Sequence, residues 1–271
     1  MPYQTNGNRA PSVAGSFYPP EPEVLAGEVA RMLGRAKSNG QQPKALIAPH
    51  AGYVYSGPIA ASAYAKLARG SDTVTRVILL GPAHRMYLPG LAAPSARSFS
   101  TPLGDIPVDG DGIRRALQFP QVELLDDAYD GEHCLEVQLP FLQQILGDFS
   151  IIPLLVGGAS HHQVAEVIGA LWGGPETLIV ISSDLSHYLP YDEARRMDAA
   201  TSNAIENLIP EGIPDDGACG RQPIKGLLLV AKKMGLVCET LDVRNSGDTA
   251  GPRSEVVGYG AYTFTDPRLD P

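Results

Sequence analysis

The sequence predicts an α/β protein with a central, mainly parallel or mixed β-sheet that is covered by helices on both faces. Three continuous apolar runs, at 44–48, 76–80 and 177–181, have the length and composition of strands buried on both sides. Helical patterns separate these runs along the chain, and such alternation is typical of a sheet layered between helices. Glycine and proline bound many segments, which indicates short elements joined by ordered loops.

The remaining elements follow from hydrophobic periodicity and turn signals. The segment 132–146 carries leucines on one helical face, and 256–263 alternates apolar side chains with the period of a strand. Further helices are predicted at 22–35, 58–68, 111–117, 162–171, 192–208 and 223–234. Further strands are predicted at 122–125, 150–156 and 237–243.

Composition restricts the class of protein. The 271 residues contain no Pro/Gly/Ser-rich linker, so we expect a single domain over 1–271. A net charge of -9 disfavours a nucleic-acid or anionic-membrane partner, which lysine and arginine would bind. The three cysteines show no disulfide pattern, and neither a signal peptide nor an apolar membrane span is evident. These features predict a cytoplasmic protein.

Four of the six histidines follow predicted strands. His50 and His84 each come after a strand, a proline and at most one small residue, and His187 follows the strand at 177–181. His161 follows the strand at 150–156 after a few loop residues. Loops at the carboxyl ends of parallel strands converge on one crevice, and imidazole is the commonest protein metal ligand. The pattern therefore indicates a metal site or an acid/base site, although any single histidine is more often a structural residue.

Three other groups are candidates for the same crevice. Asp184 precedes His187 by three residues and could orient its imidazole or cap the next turn. Cys219 lies before a predicted helix and beside Arg221, which predicts a lowered thiol pKa and an available thiolate ligand. His133 could face a substrate or face solvent, and the sequence leaves both interpretations open. Cys134 and Cys238 are expected to be packing residues, and His161 with His162 a surface pair.

Short segments spread over nearly the whole chain jointly resemble the Memo protein family, although each alone is unspecific. The segments are Ala14-Gly15-Ser16-Phe17-Tyr18, Ala48-Pro49-His50-Ala51-Gly52-Tyr53, Gly81-Pro82-Ala83-His84, Thr101-Pro102-Leu103-Gly104, Glu132-His133, Glu136-Val137-Gln138-Leu139-Pro140, Ser182-Ser183-Asp184-Leu185-Ser186-His187 and Cys219-Gly220-Arg221-Gln222-Pro223. Memo proteins are similar in fold to the class III extradiol ring-cleaving dioxygenases, which bind non-haem Fe(II).

The resemblance implies that His50, His84 and Cys219 are the metal ligands, with Asp184 and His187 beside them. Fe(II) is the expected metal. Because a cysteine takes the place of the carboxylate of the usual oxygenase triad, Cu(I) and Zn become competitive. In prokaryotes, the family is often grouped with a radical S-adenosylmethionine protein and an AMMECR-type protein, which implies a functional link to both.

Two classes of function remain open. The first is a dioxygenase-like oxidoreductase in which His187, Asp184 and His133 would serve catalysis. The second is a non-catalytic protein that holds metal, or recognises a peptide or small anion, in the same crevice. In either case we expect aromatic walls at Phe17, Tyr18, Tyr53 and Tyr55.

Overall fold

The computed structural model describes residues 6–269. The helices are α1 (Pro22–Arg35), α2 (Tyr53–Tyr64), α3 (Gly110–Ala116), α4 (Leu139–Ile145), α5 (His161–Leu171), α6 (Tyr191–Glu206), α7 (Arg221–Met234) and α8 (Ser246–Thr249). The strands are β1 (Asn6–Arg9), β2 (Ala45–Ala48), β3 (Arg76–Pro82), β4 (Leu91–Ala93), β5 (Ala96–Thr101), β6 (Gly104–Pro107), β7 (Val122–Leu124), β8 (Ser150–Val156), β9 (Thr177–Ser182), β10 (His187–Leu189), β11 (Val237–Asn245) and β12 (Val256–Thr265). Short 3-10 helices lie at Ala65–Arg69, Asp126–Tyr129, Glu136–Gln138, Pro210–Gly212 and Pro267–Leu269.

The central sheet is mixed. Its strand order is β10-β12-β2-β9-β3-β8-β4-β7, and β11 also pairs with β12. Strands β2, β9, β3 and β8 are parallel neighbours, whereas β12 runs antiparallel to β2 and β4 runs antiparallel to β8. Because β2, β9 and β3 are parallel, their carboxyl ends lie at the same edge of the sheet, which is where a ligand crevice is expected.

Helices cover both faces of the sheet, as the alternating side chains of β2 show. Leu46 and Ala48 pack into a core with apolar residues of α1, α2 and α4. Ala45 and Ile47 point to the opposite face and pack with residues of α3, α5 and α7. All four residues are fully buried, as the continuous apolar run predicts for a strand covered on both sides. The predicted α/β architecture is therefore confirmed.

The predicted helix at 132–146 is wrong in its first turn. Residues 132–135 form a loop, and helical structure begins only at Glu136 and continues as α4. In this loop the Glu132 carboxylate accepts the backbone N–H groups of His133 and Cys134, a local arrangement that competes with helix formation. The short strands β1, β4, β5, β6 and β10 were not predicted, and three of them form a separate sheet in the order β1-β5-β6.

Within 6–269, no helix is both long enough and apolar enough to cross a bilayer.

Candidate metal centre

Three histidine rings meet at the carboxyl ends of β2 and β3. The centroid of the His50 ring lies 5.1 Å from that of His84 and 5.4 Å from that of His133. The His84 and His133 centroids are 5.0 Å apart. The crevice above them encloses about 660 Å³, within the usual size of a small-molecule site. Its lining residues are Phe17, His50, Ala51, Gly52, Tyr55, His84, Arg85, His133, Asp184, His187, Tyr188, Ser246, Gly251, Pro252, Glu255, Val257 and Tyr259.

A hydroxyl fixes the tautomer of His50. The Oγ of Ser182 donates to the carbonyl of Cys134 at 2.6 Å and accepts from the amide of Gln138 at 2.7 Å. Its single proton is therefore used, and the Nδ1 of His50, 3.0 Å away, must donate to it. This leaves the Nε2 of His50 as a lone pair, which is the form that binds metals. Burial and the neighbouring His84 and His133 lower the pKa of His50 well below its usual value, which keeps the ring neutral.

A carboxylate fixes the tautomer of His84. The Nδ1 of His84 lies 3.0 Å from Oε1 of Glu132, and only the imidazole can donate to an ionised carboxylate. Burial of Glu132 opposes its ionisation, but the hydrogen bonds from His84 and the backbone N–H of Cys134 outweigh burial and hold its pKa well below the usual range. The Nε2 of His84 is left free, an arrangement that recurs where a carboxylate orients a metal-binding histidine.

The ring of His133 lies nearly parallel to that of His84, at 18°, and packs against Phe17 with centroids 4.7 Å apart. Burial lowers the pKa of His133 to about 4, so it is neutral near pH 7. The ligand atoms of His50, His84 and His133 lie within 4.8 Å of one another. A second group within that distance comprises His84, Glu132 and Cys134.

Cys219 reaches the crevice from the loop before α7. Its Sγ lies 3.4 Å from the Nε2 of His50, and its backbone N–H donates to the carbonyl of Asp184. Gly220 permits this approach, because a Cβ there would lie 2.6 Å from the Cβ of Ser183. The predicted lowering of the thiol pKa is wrong for the metal-free protein: burial and the carboxylate of Asp184 raise it to about 12. The guanidinium of Arg221 is paired with Asp215 instead.

Asp184 and His187 both line the crevice. The Oδ1 of Asp184 accepts the backbone N–H of His50 at 2.7 Å. Burial raises the pKa of Asp184 to about 7, although the N–H groups of His50 and Ala51 oppose the shift. His187 begins β10, and burial lowers its pKa, so it is neutral at physiological pH. Asp184 thus braces the loop of His50, whereas His187 lines the crevice.

The four aromatic residues predicted as crevice walls divide into two pairs. Phe17 and Tyr55 line the crevice. Tyr18 and Tyr53 are buried behind it, and their hydroxyls donate to Glu136 and to the carbonyl of Val137. The structure instead supplies Tyr188 and Tyr259 as further lining aromatics. Tyr188 has a backbone φ of 54°, an uncommon conformation for a residue with a side chain.

A family model described as a Memo-like protein matches residues 9–263. The chain belongs to the Memo family. A MEMO1 family protein of Aquifex aeolicus is 35% identical over 94% of this chain and 98% of its own length. Relatives in Aeropyrum pernix and Methanosarcina barkeri are each 36% identical, with 93% of this chain and 98% of each relative covered.

An N-terminal segment of this Memo chain holds the loop that carries Glu132 and His133. The guanidinium of Arg9 pairs with Glu136 at 2.9 Å and donates to the carbonyls of Tyr129 and Glu132. The Glu136 carboxylate is completely buried and also accepts from Ser12, Val13 and Tyr18. This network ties the start of the Memo domain to the wall of the crevice.

Sequence reasoning missed the residues that support the histidines in this Memo chain. Ser182 and Gln138 set the tautomer of His50, and Glu132 sets that of His84. Glu132 carried a signal, because an acidic residue adjoins His133 in the sequence. Ser182 and Gln138 carried none, since each acts across the fold on a residue distant in sequence. Cys134 and Cys238 are buried, as expected of packing residues.

Proposed function

We propose that this protein is a metal-dependent oxidoreductase that holds one ion with His50, His84 and Cys219. The observation that carries the proposal is the state of the two histidines. Each uses Nδ1 in a hydrogen bond with a buried neighbour and keeps Nε2 unprotonated, with its lone pair available to a metal. In metal sites, a ligating histidine is neutral, and a hydrogen bond at one ring nitrogen fixes the orientation of the other nitrogen towards the ion.

Two side chains compete for the third position. The Sγ of Cys219 and the Nε2 of His50 are 3.4 Å apart. Two such donors on one tetrahedral zinc ion would be separated by roughly 3.5 Å, given usual Zn–S and Zn–N lengths. His133 is the competitor, because its ligand nitrogen lies within 4.8 Å of those of both His50 and His84. We propose Cys219 because its Sγ already lies at ligand spacing from the Nε2 of His50 and because the resemblance to the Memo family implies it, although the side chain must move closer to His84 to share the ion.

The donor set limits the choice of metal. Two imidazoles and one thiolate suit Fe(II), Cu(I) and Zn, and they disfavour Mg²⁺ and Ca²⁺, which take oxygen ligands. We retain Fe(II) as the proposed native metal, with Cu(I) and Zn as its competitors. When bound, such an ion supplies an open coordination position that orients a substrate and stabilises developing negative charge.

The chain itself supplies groups that move protons beside this position. His187 is neutral and lines the crevice, so it can accept a proton from a bound substrate. Asp184 holds the backbone of His50 and lies next to Cys219, where it supports the proposed ligands. Phe17 and Tyr55 provide apolar walls for a small organic substrate, and His133 completes the wall beside His84. We propose a small-molecule substrate, and we extend to this chain the family's link with radical S-adenosylmethionine and AMMECR-type proteins.

A non-catalytic role in holding metal is the second candidate. It is favoured by the burial of His50 and the half-buried position of Cys219, which would guard a soft ion from solvent. Oxygen uptake by the metal-loaded protein with a panel of catechols separates the two roles. Uptake that depends on His50 supports the oxidoreductase, whereas tight metal binding without uptake supports the second role.

Serine in place of Cys219 should weaken binding of Cu(I) and Zn by at least about tenfold, because a neutral hydroxyl is a poor ligand for soft metals. The measurement is metal content and chelator competition on protein loaded anaerobically. Cys238→Ser is the matched control and should bind as the parent does, since Cys238 is buried in β11.

His133→Ala distinguishes the two donor sets. Loss of metal with His133→Ala and its retention with Cys219→Ser would show that the third ligand is His133.

Alanine in place of His187 should leave the metal content unchanged and reduce any turnover by about 10²–10⁴-fold, as the loss of a general base does. His162→Ala is the control, because His162 lies on α5 outside the crevice lining. Metal analysis and oxygen uptake are measured on the same samples. If His187→Ala removes metal as fully as His50→Ala does, His187 is a ligand and its proposed role is wrong.

A further inference from the structure

A second concave site lies between α1, α2 and β11. It encloses about 590 Å³ and shares no lining residue with the metal crevice. Five cationic side chains line it, against only two anionic ones. The cations are Arg31, Arg35, Lys37, Lys66 and Arg244. This excess of positive charge is unexpected on a chain whose net charge is -9. A pocket lined mostly by positive side chains attracts negatively charged ligands.

The two acidic residues do not neutralise this surface. Asp242 is paired with Arg244, with Nη2 to Oδ2 at 2.5 Å, and also accepts from Ser62. Glu239 is 66% exposed and its carboxylate lies 3.8 Å from the ammonium of Lys66, beyond hydrogen-bond distance. The charge of Arg244 is therefore cancelled locally, and that of Lys66 is partly offset by an exposed carboxylate. Arg31, Arg35 and Lys37 have no ion pair among residues 6–269.

Lys66 is the most informative of these cations. Its side chain is only 10% exposed, and it has three N–H donors. One donates to the carbonyl of Asn39 at 2.9 Å, and no other hydrogen bond of this ammonium occurs among residues 6–269. Its ammonium lines the pocket and keeps donors that a bound anion can use.

Arg31 and Arg35 add a pair of exposed guanidinium groups. They are one turn apart on α1, and neither has an ion pair or side-chain hydrogen bond within the described chain. Like charges at this spacing destabilise a helix, whereas an anion held between them would reverse the effect. Arg35 also complements the negative end of α1, but Arg31 is too far from that end to do so. Arginine pairs are well suited to phosphate oxygens.

We propose that this pocket binds the phosphate groups of a small organic phosphate through Arg31, Arg35, Lys37 and Lys66. Met32, Pro58 and Leu241 form an apolar part of the wall, and we propose that this part contacts the organic portion of the ligand. The volume is suitable for a ligand of nucleotide size. The site is independent of the proposed metal, because α2 separates Tyr55 in the crevice from Pro58 and Ser62 in this pocket.

Calorimetric titration of the whole protein with inorganic pyrophosphate and with ADP tests the proposal. Both should bind, adenosine should not, and added salt should weaken binding because charged contacts dominate. The double variant Arg31→Gln/Arg35→Gln should bind both phosphates at least about tenfold more weakly, the loss expected for two charge-assisted contacts. Lys232→Gln/Lys233→Gln is the control, since it removes the same net charge from the exposed end of α7 and should bind as the parent does.

His50→Ala protein should bind both phosphates with parental affinity, so failure of the proposed metal site leaves this result unaffected. The proposal is overturned if neither phosphate binds at about 1 mM, a weak affinity for any specific site. It is also overturned if Arg31→Gln/Arg35→Gln binds as tightly as the parent, or if the control variant loses as much affinity. A thermal melt of each variant confirms that the fold is intact.

Discussion

Glutamine in place of Glu136 is expected to lower the free energy of unfolding by about 3–5 kcal/mol, the usual cost of breaking a buried ion pair by removing one partner. The carboxylate is fully buried and the side chain of Arg9 is 11% exposed, so the guanidinium would be left charged and nearly enclosed. Two backbone N–H groups, of Ser12 and Val13, would also lose their charged acceptor. Urea unfolding followed by circular dichroism measures the change.

Asp111→Asn provides the control for this prediction. Asp111 also pairs with an arginine, Arg114, but its side chain is 83% exposed, and exposed pairs contribute little to stability. Equal stability losses in the two variants would contradict the role assigned to burial. We further expect Glu136→Gln to loosen the Glu132 loop, because the same Arg9 donates to the carbonyl of Glu132.

Glutamine in place of Glu132 should weaken metal binding by about 10–100-fold, the typical effect of removing a carboxylate that orients a metal-binding histidine. The carboxylate receives Nδ1–H of His84 and the backbone N–H groups of His84, His133 and Cys134. An amide has one acceptor oxygen, so its NH₂ group would face N–H donors and the ring of His84 would be released. Zinc affinity measured against a competing chelator reports the effect.

Glu255→Gln is the matched control, since Glu255 lines the same crevice and is exposed. This variant removes the same charge, but among residues 6–269 Glu255 makes no hydrogen bond to His50 or His84. Equal losses in the two variants would mean that Glu132 acts only through its charge. Unchanged affinity in Glu132→Gln would remove His84 from the proposed ligand set.

The sequence predicted the convergence of His50 and His84 for a physical reason. Both follow parallel strands buried on both faces, and parallel strands end at a common edge. Continuous apolar runs signal such strands strongly, so their positions were also predictable. The short strands β1 and β5 were not, because runs such as Asn6–Arg9 are polar and are strands only through pairing within the small sheet β1-β5-β6.

The chemical state of the site could not be read from local sequence. The position of Cys219 before α7 suggested a reactive thiolate, but its pKa depends on enclosure by Asp184 and Ser183, which are far away in the chain. Likewise, Tyr53 adjoins the loop of His50, yet the first turn of α2 rotates its ring into the core and leaves Tyr55 in the crevice. Such outcomes depend on packing between distant segments.

The position of β12 in the sheet affects how the protein is made. Tyr262 on β12 pairs with Ile47 on β2, so nearly the whole chain is synthesised between two strands that lie side by side. Until β12 has emerged from the ribosome, β2 has a partner only in β9, and its other edge keeps unpaired N–H and C=O groups beside fully apolar side chains. Such an edge is prone to pair with other chains. The nascent protein therefore passes through most of its translation with the central strand of the future site open to aggregation.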